Sequence, residues 1–146
     1  MFRGSASAKI DTKGRLKIPT GFRRVMEERF GREVFVTSVL GDAALVYPLV
    51  VWEELEERLA KLPSTDRTKR KYLERVGYFG QQTQLDAQGR VVIPQILRES
   101  ADMSGAAVVS GRLDHLEVWN HQRLLDRFSG EEFSDEDFAY LAERGV

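Results

Sequence analysis

This sequence predicts a strand-rich α+β fold in which two halves of one chain interleave around a shared core. Three observations lead there. The frame Asp-x-x-Gly-Arg-x-x-Ile-Pro occurs twice, as DTKGRLKIP (residues 11–19) and DAQGRVVIP (residues 86–94), at an offset of 75. Around both copies the residue pattern gives one order: strand, turn, strand, short helix, strand, strand. Each half offers about four short strands and one brief helix, too little for a core below roughly 70–80 residues. Two such halves sharing their hairpins give a pseudo-twofold unit with peripheral helices and a single cooperative core.

In the first copy, SASAKI leads into the turn DTKG and RLKIP leaves it. Asp accepts from backbone N–H groups two residues on, and Gly tolerates positive φ, so Asp11 and Gly14 mark a tight turn. Leu16 and Ile18 alternate with Arg15 and Lys17, the period of a half-buried strand. Pro19 ends that strand and opens a helix, TGFRRVMEERFG, with Phe22, Val25, Met26 and Phe30 inward and Gly31 as its stop. EVFVTSVL and AALVYP follow as strands. The linker brings Trp52, Leu55, Leu59 and Leu62 to one helical face. Pro63 stops that helix, Ser64 or Thr65 can cap the next, and RTKRKYLERV continues as a basic helix.

The second copy starts with YFGQQTQL, turns at DAQG between Asp86 and Gly89, and leaves as RVVIP. QILRESADMSG is its short helix, and AAVVSGR and HLEVWN are its last strands. Arg23 and Arg98 keep the offset of 75, while a deletion of about three residues brings Tyr47-Pro48 opposite Trp119-Asn120. The tail SDEDFAYLAERG has a Ser134 cap, acids in its first turn, Gly145 after its last, and a small stripe of Phe138 and Leu141. The organisation reads as a first repeat with its trailing helix (1–62), a basic helical connector (63–77), a second repeat with its trailing helix (78–128) and an acidic helical tail (129–146).

The formal net charge of −1 hides segregation. Residues 1–24 hold seven Arg or Lys against Asp11 alone, and residues 126–146 hold seven acids against two Arg. A basic head on a near-neutral chain suits a polyanion, since gathered Lys and Arg release phosphate counterions; the plainer reading is a solvated surface. The absence of Cys excludes disulfides and thiolate chemistry and suits a reducing cytosol. MFRGSASAKI lacks a signal-type apolar core, and the longest apolar run, AALVYPLVV, is too short to span a bilayer. A soluble cytoplasmic protein is expected.

Asp11 and Asp86 read as turn formers. A two-carboxylate catalytic pair on a duplicated half-barrel would need Asp-Thr/Ser-Gly, whereas two residues separate Asp from Gly in both copies. Arg15 and Arg90 directly follow the turns, where they can pair with an Asp, contact phosphate or guanine, or do both. Lys9, Lys13 and Lys17 surround the first turn, with Lys13 at its tip. The cluster Arg67, Lys69, Arg70 and Lys71 reads as a solvated or inter-subunit face. His115 and His121 have no accompanying ligand set, and no phosphate-binding Gly-rich loop or nucleophile elbow is present. No enzyme activity, metal, cofactor or small-molecule substrate is expected. Phe22, Phe30, Tyr47, Trp52 and Trp119 follow helix and strand periods and read as core or oligomer contacts.

The doubled Asp-x-x-x-Arg (Asp11…Arg15, Asp86…Arg90), each followed by Ile-Pro and a short helix, together with the opening MFRG and the chain length, closely resembles the MraZ family. That family sits in the AbrB group of DNA binders. The resemblance implies a swapped-hairpin barrel built from two AbrB-like units in one chain. It also implies a ring-shaped homo-oligomer that binds tandem repeats in double-stranded promoter DNA, including its own promoter, in the bacterial division and cell-wall gene cluster. Nucleoid association and transcription regulation follow from it. The expected DNA-contacting residues are Lys9, Lys13, Arg15, Lys17 and Arg90, with Asp11, Gly14, Asp86 and Gly89 shaping and orienting the turns. The second copy departs from the pattern: Gln88 stands opposite Lys13 and Val92 opposite Lys17. Two other readings stay open: a ring-forming protein-interaction adaptor without DNA, and an AbrB-type antitoxin-like regulator.

Overall fold

In the computed structural model, which describes Met1–Val146, the first strand finds its main partner about a hundred residues away. Strand β1 (Ser5–Ile10) runs antiparallel to β7 (Gly105–Gly111), from Ser5 opposite Ser110 to Ile10 opposite Gly105. The second copy mirrors this: β5 (Gln81–Gln84) pairs with β3 (Glu33–Thr37). Within its own hairpin β1 meets β2 (Arg15–Lys17) at a single pair, Ile10 opposite Leu16. Each hairpin therefore splays open and lends its first strand to the other repeat.

Two pairings join the repeats along the pseudo-twofold axis. Strand β2 pairs with β6 (Arg90–Val92), Leu16 facing Val91. Strand β4 (Ala44–Pro48) pairs with β8 (Leu116–Asn120). The eight strands run in the order β5-β3-β4-β8-β7-β1-β2-β6. Its two end strands are joined by the Asp86 turn, where the Asp86 N–H donates to the Arg90 carbonyl at 2.9 Å, so the antiparallel sheet closes almost completely into a barrel.

Alternation along the strands fills the barrel. Leu16, Val34, Val36, Val46, Val91, Val109, Leu116 and Val118 all point inward and are essentially solvent-free. The short helices α1 (Thr20–Arg29) and α4 (Gln95–Ser100) add Phe22, Met26 and Leu97. Phe2, only 1% exposed, closes one end and packs edge-on against Phe22 and stacked on Phe30. These side chains belong to one cluster of 20 buried residues drawn from both repeats, against two satellites of four. Each fully buried aliphatic side chain is worth about 1.5–3 kcal/mol over exposure, so the shared cluster dominates stability.

The satellites lie under the peripheral helices. Helices α2 (Leu49–Ala60) and α3 (Arg67–Phe79) cover Tyr47, Val51, Trp52 and Val76, while α5 (His121–Gly130) covers Trp119 and Leu124. The aromatic residues read as core are buried or, for Phe30, half-buried. Helix α6 (Asp135–Ala142) buries no residue, and Phe138 is 62% exposed. No helix is long and apolar enough to cross a membrane.

Three local expectations are corrected. Asp66, not Ser64 or Thr65, caps α3: its carboxylate accepts from the Lys69 N–H at 2.8 Å. Ser64 and Thr65 are instead the inner residues of a turn closed by the Asp66 N–H on the Pro63 carbonyl. Leu62 lies past the end of α2 and is 43% exposed. Tyr78 and Phe79 belong to α3, because Phe79 packs on the barrel core, and the approach strand starts only after Gly80.

Candidate nucleic-acid interface

Each turn is organised by its aspartate. Asp11 Oδ1 accepts the N–H groups of Lys13 and Arg15, both at 2.9 Å, and Oδ2 accepts Arg15 Nε at 2.6 Å. The second turn repeats these bonds: Asp86 Oδ1 takes Gln88 and Arg90 N–H at 2.9 Å, and Oδ2 takes Arg90 Nε at 2.8 Å. Donation of the Arg backbone N–H, followed by the Arg side chain, holds both carboxyls below the usual carboxylate range, Asp86 down to about 2. The pairing uses only Nε. Both terminal nitrogens of Arg15 and of Arg90 make no other hydrogen bond, so each fork remains open to a ligand.

The axis pairing then sets what surrounds each fork. Arg15 lies opposite Val92 and Lys17 opposite Arg90, with Leu16 and Val91 turned into the core between them. Arg15, Lys17 and Arg90 thus share the outer face of the barrel. The Ile10–Leu16 pair brings Lys9 of β1 beside Lys17, and both line one shallow groove of about 310 Å³ with Pro19 and Thr20. Lys13 stands exposed at the tip. The register thus sets Lys9, Lys17 and Arg90 side by side with Arg15 on the same face, and Arg90 comes from the second repeat.

Backbone bonds lock the turns to each other. The Ile18 N–H donates to the Gly89 carbonyl at 2.9 Å, and the Ile93 N–H to the Gly14 carbonyl at 2.8 Å. Gly14 and Gly89 have φ of +79° and +74°, which favours glycine, and each also accepts a side chain from the opposite repeat. Arg98 lies over Gly14, where an added Cβ would come 2.5 Å from its Nε; Arg23 lies over Gly89, where a Cβ would come 2.6 Å from its Cδ. Sequence reasoning aligned these two arginines without giving them a role. Their shared offset was the available signal, and the reciprocal crossing explains it. It also left out Gln84, which holds the Lys9 position in the second repeat and makes that repeat's outer face still less basic.

A family model described as "MraZ protein, putative antitoxin-like" matches residues 1–75 and 80–145. The chain belongs to the MraZ family. Each matched MraZ segment contains one Asp-x-x-x-Arg turn, and the break between them falls at the end of α3. Among MraZ relatives, the "Transcriptional regulator MraZ" of Acidobacterium capsulatum is 45% identical over the full length of both chains. That of Koribacter versatilis is 42% identical over the full length of both. That of Shewanella oneidensis is 34% identical, covering 87% of this chain and 84% of its own.

Proposed function

We propose that this MraZ-family chain is a sequence-specific DNA-binding regulator of transcription. It reads duplex DNA with the outer face built from Lys9, Lys13, Arg15, Lys17 and Arg90. The observation that carries this reading is the β2–β6 register, which places cations from both repeats side by side while their aspartates occupy only the Nε edge. A planar fork with both terminal nitrogens open suits bidentate contact with guanine or phosphate. Lys13 at the tip reaches a groove first, and Lys9 and Lys17 contact the flanking phosphates.

One subunit offers few positive groups, and the chain as a whole carries −1. Useful affinity then depends on several copies presented together. A homo-oligomeric ring supplies them, and the operator elements recur in the same direction near the helical repeat of about 10 base pairs. On this reading the elements lie upstream of the chain's own gene, in the division and cell-wall cluster, and the protein works on the nucleoid; the family resemblance supports it. The test is titration of the full chain against upstream DNA carrying one, two or three elements. Affinity is expected to rise steeply with number, and inserting about 5 base pairs between elements to remove the gain. Lys13→Ala is expected to weaken binding without shifting Tm, since its side chain bonds nothing in the fold. Equal competition by unrelated DNA at moderate salt would leave the protein-binding adaptor as the better reading.

A further inference from the structure

A pseudo-twofold molecule with two copies of one turn would present DNA with two equivalent turns, yet the two are dressed differently. At the second turn, Arg23 donates Nε to Glu27 at 2.9 Å and a terminal nitrogen to the Ala87 carbonyl at 3.2 Å. The tip of that turn is the neutral Gln88. At the first turn, Arg98 donates Nε to the Ile93 carbonyl at 2.9 Å, and its terminal nitrogens bond nothing. Asp102 holds the place of Glu27 at the same offset of 75, but α4 has ended by then. Asp102 has φ of 52°, its backbone carbonyl takes the Asn120 amide at 2.8 Å, and its carboxylate forms no ion pair with Arg98. The tip beside Arg98 is Lys13. Both differences act in one direction.

Resting on the DNA-binding reading above, we infer that Arg98, delivered by the second repeat, is a DNA-contacting cation of the first turn. In the same arrangement Glu27 withdraws Arg23 from DNA at the second turn. The subunit is then a one-sided reader. The first turn carries Lys13, Arg15 and Arg98 around Gly14, while at the second turn, next to it on the same face, the matched arginine must break an ion pair before it can reach a phosphate. The length of one helix decides this: α1 runs to Arg29 and keeps Glu27 one turn from Arg23, whereas α4 stops at Ser100.

The experiment is fluorescence-anisotropy titration of the full chain with a labelled duplex of three upstream elements, repeated across salt concentrations. Melting curves confirm that each variant is folded at the titration temperature. Arg98→Gln is expected to lower the slope of log affinity against log salt by about one, a loss of roughly eightfold at 0.1 M salt. Arg98→Lys, which keeps the charge, is expected to hold the wild-type slope. Arg23→Gln should leave the slope unchanged, and Glu27→Gln, which frees Arg23, should raise it by about one. A wild-type slope in Arg98→Gln, or equal losses in Arg23→Gln and Arg98→Gln, overturns the inference while leaving the DNA reading in place. The exposed Glu27 position decides the matter independently if Arg98→Gln does not fold: an unchanged slope in Glu27→Gln also overturns it. Absence of wild-type binding to the duplex sinks both readings together.

Discussion

Asp11 and Asp86 act on stability through protonation. Each carboxyl is held below its ordinary value of 3.8, and Asp86 reaches about 2, chiefly because it accepts the backbone N–H of the following Arg. A carboxyl with a depressed folded-state value contributes stability above its unfolded value and loses it as pH falls toward the folded value. Wild-type unfolding free energy is therefore expected to fall as pH drops from the ordinary carboxylate value of 3.8 toward the folded value of Asp86, about 2, with Asp11 contributing in the same direction. Asp86→Asn should be less stable at neutral pH, fall less steeply across that window and approach wild type only as pH drops below about 2 in urea titrations. Gly14→Ala forces a left-handed Ala, at about 1–2 kcal/mol, and also displaces Arg98. A lower Tm and weaker DNA binding are expected together, in contrast with Lys13→Ala. The turns were legible residue by residue because Asp, Gly and Arg act on backbone within four positions. The arginine crossings were not, since no local period encodes a contact between residues 14 and 98.

Helix caps separate elements that hold the fold from one that only decorates it. Asp66 caps α3, whose Val76 is buried beneath it and whose Phe79 packs on the barrel. Asp66→Ala is expected to cost about 1 kcal/mol of global stability, visible as a lower Tm. Ser134 and Asp137 form a complete capping box on α6, with Ser134 accepting from the Asp137 N–H at 3.1 Å. That helix buries nothing, so Ser134→Ala should speed local hydrogen exchange in residues 135–142 and leave Tm unchanged. Element order and most strands were readable from alternation and from Pro and Gly. The cap of α3 was misread because three consecutive candidates, Ser64, Thr65 and Asp66, all suit the role. Only the turn from Pro63 decides among them. The extra turn of α3 escaped because Tyr78 and Phe79 fit a strand as well as a helix. Partner choice among strands was legible only as the need for a shared core.

At the scale of the whole molecule, neither repeat owns a complete sheet. A fragment of residues 1–76 leaves β1 without β7 and β3 without β5. It is expected to be unfolded by circular dichroism, and the full chain to melt in one transition by calorimetry with equal van't Hoff and calorimetric enthalpies. An independently folded fragment would show that the shared cluster is not what holds the halves. The swapped pairing also has a consequence in time. Strand β1 leaves the ribosome near the start of synthesis, yet its partner β7 begins at Gly105. At about 5–20 residues per second, the first strand waits on the order of 5–20 s with its edges unpaired. SASAKI has no large apolar side chain before Ile10 and carries Lys9, features that oppose edge-to-edge pairing of the waiting segment.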